Sequence, residues 1–151
     1  MDRAVADRLA IREVIELYSD AVTRRDWETT GALFAEDAVW SIAPPTDIVL
    51  NGRTAIAKGV AEMVEAFEVF VQMTHSIVIA LDGERASART VVNGFGRLRD
   101  GSRGAFALGT YIDRLARSGD GWLFQSRHFE PLFIDNAAPA GTAYGPGKPK
   151  A

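Results

Sequence analysis

Between Ala4 and Arg25 the apolar side chains of Ile11, Val14, Ile15, Tyr18, Ala21 and Val22 recur at spacings of three and four, with Arg12, Glu13, Glu16, Asp20 and Arg24 mostly between them. This period predicts an amphipathic helix with one buried face. Asp26 opens the next stretch, DWETTGALF, where a carboxylate can accept from the free N–H groups of a new helical turn. Trp27, Thr30, Leu33 and Phe34 supply the apolar side of that second helix. The run AEDAVWSIA predicts a strand carrying Val39, Trp40 and Ile42, stopped at Pro44-Pro45 because proline cannot donate to a strand ladder. After a turn at Asn51-Gly52, the positions Ile56, Val60, Met63, Val64 and Phe67 predict a third helix.

From Val69 the period shortens. VFVQMTHSIVIAL, ERASARTVVNGFGRLR, RGAFALGTYIDRLAR and WLFQSRHFEPLFI are rich in β-branched and aromatic residues, and Asp82-Gly83, Asp100-Gly101 and Gly119-Asp120-Gly121 separate them. Four strands joined by tight turns predict an antiparallel meander. Helices first and strands second make an α+β domain: a cone-shaped, strongly curved antiparallel sheet packed on three N-terminal helices and enclosing a pocket. The expected boundaries are 1–135 for this domain and 136–151 for a Gly- and Pro-rich C-terminal tail, flexible or strapped over a neighbour.

Composition removes several classes of function. At 151 residues, 47% of them hydrophobic, the chain can bury a core of its own. A net charge of -3 argues against a nucleic-acid surface. With no cysteine there is no disulfide, thiolate nucleophile or Cys-ligated metal, and two histidines with scattered carboxylates do not predict a metal site. No apolar run approaches the roughly 20 residues needed to cross a bilayer. MDRAVADRLAIREV has no signal-peptide core, so a cytoplasmic protein without membrane partners is expected. No GxSxG, GxxxxGK[ST] or HExxH pattern is present.

The order LYSDAV, RRDW, ALFAEDAVW, NGRTAI, MTHSIV, DGERASA, GTYIDRL and DGWLFQSRHF, from about Asp7 to Ile134, resembles the SnoaL-like branch of the nuclear transport factor 2-like superfamily. Scytalone dehydratase, bile-acid 7α-dehydratase, lindane dehydrochlorinase and ring-hydroxylating dioxygenase β subunits belong to that fold. The resemblance implies a small-molecule pocket, no cofactor and a homodimer or homotrimer. It also implies a histidine base early in the meander, held by an aspartate near the end of the first helix. His75 falls on the histidine position, but Thr23 stands where the aspartate is expected.

Elimination of water or HX needs a base near a C–H bond, and a charged partner makes imidazole a better one. Thr23 brings no charge, so a carboxylate has to come from elsewhere. Asp26, one turn on, is a candidate alongside its capping role, and Asp113, sharing a strand face with Tyr111, is another; Asp20, on the far side of the helix from Tyr18, is read as solvated. Tyr18 and Arg127 are candidates to polarise or orient an oxygen; Arg127 and His128 are adjacent in a strand and face opposite ways. Trp40 and Phe95 line the pocket or fill the core, and His75 itself suits a hydrogen-bonded core position. Three functions follow. The first is a cofactor-independent dehydratase-like lyase or isomerase on a small cyclic or aromatic hydroxylated compound, with His75 as base, Tyr18 and Asp26 beside it, and Thr23, Trp40, Phe95 and Arg127 around the substrate. The second is a non-catalytic binder of a small apolar ligand, and the third an oxygenase β-subunit-like assembly protein.

Overall fold

The computed structural model describes residues 1–145. Helix α1 (Arg3–Arg24) buries Ile11, Ile15, Tyr18 and Val22, the face expected from their spacing. It stops at Arg25, which turns left-handed (φ 58°) and donates its N–H back into the last turn. Helix α2 (Trp27–Ala32) begins at Asp26, whose side chain accepts from Thr29 N at 3.1 Å and from Thr29 Oγ1 at 2.7 Å. Strand β1 (Phe34–Ile42) follows. A short strand β2 (Ile48–Asn51), not foreseen from the sequence, folds back antiparallel on it. Gly52 takes a positive φ of 91° to start helix α3 (Arg53–Glu65), which buries Ile56, Val60 and Val64.

The meander is present as four long strands, β3 (Phe67–Asp82), β4 (Arg85–Leu98), β5 (Gly104–Ser118) and β6 (Gly121–Asp135). The six strands lie in the order β2-β1-β6-β5-β4-β3, and the sheet does not close. It is mixed rather than wholly antiparallel, because β6 returns to lie parallel to β1. Side-chain alternation is the same in either direction, so the pattern of apolar residues carries no information on this pairing. Register shifts between Phe67 and Val69, Thr74 and Ile77, Leu108 and Gly109, and Arg114 and Leu115 add the local bends that curl the sheet.

Helix α1 lies along β3, the free edge of the sheet, and its polar side chains bond that strand. Arg8 donates to Ile79 O at 2.6 Å, and the Ser19 and Thr74 hydroxyls meet at 2.7 Å. Gln72 N donates to Thr23 Oγ1 at 3.0 Å. An edge that would otherwise present unpaired backbone groups is thereby covered. At the other end of the helix, Asp7 accepts from Arg117 at 2.6 Å and from Trp122 Nε1 at 3.2 Å. After β6 the chain crosses the start of β5: Gly104 N donates to Asn136 O at 3.0 Å, and Arg97 donates to Pro139 O at 3.0 Å and Gly141 O at 2.8 Å. The remainder of the expected tail, 146–151, lies outside the described residues.

The concave face holds the core, and at its centre is a charge. Arg127 is fully buried and forms a two-pronged pair with Asp113, at 2.8 and 3.0 Å. Its guanidinium carbon sits 4.5, 3.9 and 4.4 Å from the ring centres of Tyr18, Tyr111 and Phe124. Burial pushes the Asp113 carboxyl above its ordinary value, and Arg127 pulls against that rise. Breaking such a pair leaves a buried charge alone, at about 3–5 kcal/mol. Asp113→Asn is therefore expected to lower the melting temperature by roughly 10 °C or more, whereas Asp113→Leu combined with Arg127→Met recovers most of the loss. Thermal unfolding of the single and double variants checks this; equal damage in both would show that mutual neutralisation is not what holds the pair.

Candidate functional site

Above the Arg127–Asp113 pair the curled sheet and the two long helices leave a cavity of about 310 Å³. This is near the lower end of the range for ligand pockets, about 300–1,000 Å³. Its wall is mainly apolar: Val22 from α1, Val60, Met63 and Val64 from α3, and Phe67, Phe70, Val92 and Phe129 from the sheet. Small residues at the meander create the space. Gly94 leaves room for the Phe70 ring, since a Cβ there would lie 3.1 Å from Phe70 Cζ, and Ala105 and Ala107 complete that side.

Five side chains with polar atoms line this wall: Tyr18, Trp40, Thr46, Gln72 and Tyr111. Tyr18 and Tyr111 pack edge to face, with ring centres 5.9 Å apart. Burial pushes the Tyr18 hydroxyl well above the ordinary tyrosine range; the neighbouring Tyr111 adds to the rise, while Arg127 beneath the ring and the Trp40 N–H oppose it. Tyr18 is therefore a neutral phenol at physiological pH, able to donate and to accept. The Trp40 indole N–H is turned toward the Tyr18 hydroxyl yet makes no hydrogen bond of ordinary geometry. Gln72 Oε1 is likewise shut off from solvent without a partner. Buried polar atoms are nearly always bonded, so two orphans in one cavity wall mark places where a ligand can bind.

The expected dyad is not assembled. His75 is exposed, at the bulge between Thr74 and Ile77, and is absent from the cavity wall. Strand alternation turns Phe70, Gln72 and Thr74 toward the concave side, which leaves the histidine on the wrong parity. No hydrogen bond or ion pair of its imidazole is found among the described residues. Thr23 spends its hydroxyl on the β3 backbone at Gln72. Asp26 is held as the cap of α2, and its hydrogen bonds from Thr29 draw its carboxyl below the usual range; it supports no histidine. Phe95 is also on the wrong parity. Val92 and Gly94 line the cavity, so Phe95 faces the convex side, paired across from Phe106.

Tyr18 and Trp40 stand in the wall, and Arg127 lies beneath the two tyrosine rings without reaching the cavity itself. Tyr111 and Gln72 were not foreseen. Their signal was alternation: Tyr111 shares a face with Asp113, and Gln72 with Phe70. Among the described residues no group of three or more His, Asp or Glu side chains is placed to hold a metal ion, and no helix is long and apolar enough to cross a membrane.

Solved structures with this fold include a hexachlorocyclohexane dehydrochlorinase, LinA-type3, from Novosphingobium barchaimii LL02. It is 15% identical, with 93% of this chain and 96% of that chain covered and a TM-score of 0.81. A protein described as a candidate scytalone dehydratase from Novosphingobium aromaticivorans DSM 12444 is 24% identical, with 93% and 97% covered and a TM-score of 0.79. The uncharacterized protein Rv2910c of Mycobacterium tuberculosis is 27% identical over 120 residues, 78% of this chain and 80% of its own length. Residues 3–128 match the SnoaL-like domain, and the chain belongs to that family.

Proposed function

We propose that the protein binds a small cyclic or aromatic, oxygen-bearing molecule in the concave cavity, and that any reaction there runs on tyrosine hydroxyls rather than on imidazole. The observation that carries this reading is the composition of the wall: mainly apolar, with Tyr18, Trp40, Thr46, Gln72 and Tyr111 as its polar groups and no histidine or carboxylate. The similar solved structures named for a dehydratase and a dehydrochlorinase support a ring compound as ligand. They also keep a dehydratase-like lyase or isomerase as the second reading. In that case Tyr18 or Tyr111 would hydrogen-bond the leaving or developing oxygen, and a water molecule entering the cavity would accept the proton that an imidazole base would otherwise take.

The test is a panel of small cyclic ketones, phenols and hydroxylated rings, followed by thermal shift and by mass spectrometry for product. A ligand that stabilises the fold is expected. His75→Ala should change affinity by less than about twofold, because the imidazole is outside the wall. Tyr18→Phe should weaken binding by about five- to tenfold, the worth of one hydrogen bond. Ala107→Leu should fill the cavity and abolish binding while the circular-dichroism spectrum is kept. Loss of turnover in a folded His75→Ala variant would overturn this reading in favour of the imidazole mechanism.

Because Tyr18 is held protonated and no imidazole or carboxylate lines the wall, affinity for a non-ionising ligand is expected to stay flat between about pH 6 and 9. Titration calorimetry across that range checks it, and a sigmoid centred near the ordinary histidine pKa would count against it.

The reading extends to self-association. The convex face exposes Met73, Val78, Phe106, Ile112 and Phe133, with the Phe106 and Phe133 ring centres 6.2 Å apart, an apolar surface suited to a second copy. Light scattering is expected to give more than one chain per particle, with Phe106→Asp shifting it to the monomer.

A further inference from the structure

The two shielded, unbonded polar atoms of the cavity are of opposite kind and stand on opposite walls. Trp40 is on β1 and Gln72 on β3, with β6, β5 and β4 between them in the sheet, so the curl of the sheet sets them across the cavity from one another. On the Trp40 side the shielded, unbonded atom is the indole N–H, a donor, and the hydroxyls of Tyr18, Tyr111 and Thr46, which can donate or accept, stand in the wall with it. On the Gln72 side the shielded atom is an amide oxygen, an acceptor. Between the two, Val60, Val64, Val92 and Phe129 offer no polar atom of their side chains.

The charges around the cavity are already matched. Arg127 beneath the tyrosines is bonded by Asp113, and toward the end marked by Phe67, Arg25 pairs with Glu65 and Arg97 with Glu68. Tyr18 and Tyr111 are the titratable groups in the wall itself. A charged ligand would lose its hydration there and find no free counter-charge.

We infer that the ligand is neutral and two-ended: a ring compound presenting an acceptor oxygen to Trp40, Tyr18 and Tyr111, and donating from a hydroxyl or N–H at its far end to Gln72. This rests on the cavity being the binding site and adds the chemistry of both ends. A compound of this kind fills both orphan positions at once, whereas a one-ended ring leaves a buried polar atom unbonded.

The probes are 4-nitrophenol, which has a nitro acceptor and a hydroxyl donor at opposite ends, 4-nitroanisole, whose methyl group removes the donor, and phenol, which lacks the distant acceptor. Binding is measured by calorimetry and by the absorbance of the nitro compounds, on the full-length chain and on Ala107→Leu and Gln72→Leu. Neutral 4-nitrophenol is expected to bind about five- to tenfold more tightly than the other two. Its affinity should fall about tenfold per pH unit above its ionisation, the bound form keeping the spectrum of the neutral phenol. Gln72→Leu should bring 4-nitrophenol and 4-nitroanisole to the same affinity. A phenolate spectrum in the bound state, or affinity unchanged above the ionisation, overturns the neutral ligand. Equal affinity of the three probes, or no effect of Gln72→Leu, overturns the two ends. In either case block by Ala107→Leu leaves the cavity as the binding site, whereas no binding by any probe overturns both the inference and the site.

Discussion

A guanidinium buried at the centre of a hydrophobic core is the constraint around which the concave face is arranged. Arg127 tolerates that position because Asp113 meets it with two hydrogen bonds and because three aromatic rings present their faces to it. Those rings come from α1, β5 and β6, so one cation fixes how the first helix sits on the sheet. Two of them, Tyr18 and Tyr111, then turn their other sides to the cavity. The hydroxyls that can meet a ligand are thus positioned by a pair that no ligand touches. One guanidinium nitrogen, Nη1, has no partner among the described residues, which shows that the pair is fitted to the rings at some expense to its own hydrogen bonding.

The edge clamp of α1 on β3 gives Thr23 a structural task. Thr23 accepts from the Gln72 N–H, and in doing so fixes the strand that carries Gln72 into the cavity wall. A carboxylate there would serve an imidazole pointing inward. In this chain the imidazole points elsewhere, and a hydroxyl that bonds backbone is what the site can use. A backbone-bonded Thr23 and an outward His75 are consistent with each other, since neither takes part in an imidazole–carboxylate dyad.

The fold was largely legible from period alone. Periodic stretches such as Ile11 to Tyr18, and the turn dipeptides Asp82-Gly83 and Asp100-Gly101, locate α1 and the meander within a few residues. The short strand β2 and the parallel seam of β1 on β6 were not legible, since four residues are too few for a period and direction leaves no trace in alternation. At the site, helical positions fared better than strand positions. Tyr18 lies on the apolar face of a long helix, where burial follows from spacing. On β3 and β4 a single bulge or a one-residue change in phase moves a side chain to the other face, and it decided His75 and Phe95.

A fold of this kind holds its cavity with the backbone and tunes it with a few side chains, so family membership fixes the container more firmly than its chemistry. Here the tuning is visible in what the wall leaves out. Glycine and alanine at 94, 105 and 107 open volume on the meander side, and Val22, Val60, Met63 and Val64 close it on the helix side. The ionisable carboxylates and guanidiniums nearby are consumed in pairs. What is left facing inward is an indole N–H among neutral hydroxyls on one wall and a shielded neutral acceptor on the other. Such a surface discriminates by the placement of uncharged oxygens, because each one missing from a ligand leaves a shielded partner unbonded. Selectivity of that form needs no imidazole, and it is compatible with the exposed position of His75 on the outside of the sheet.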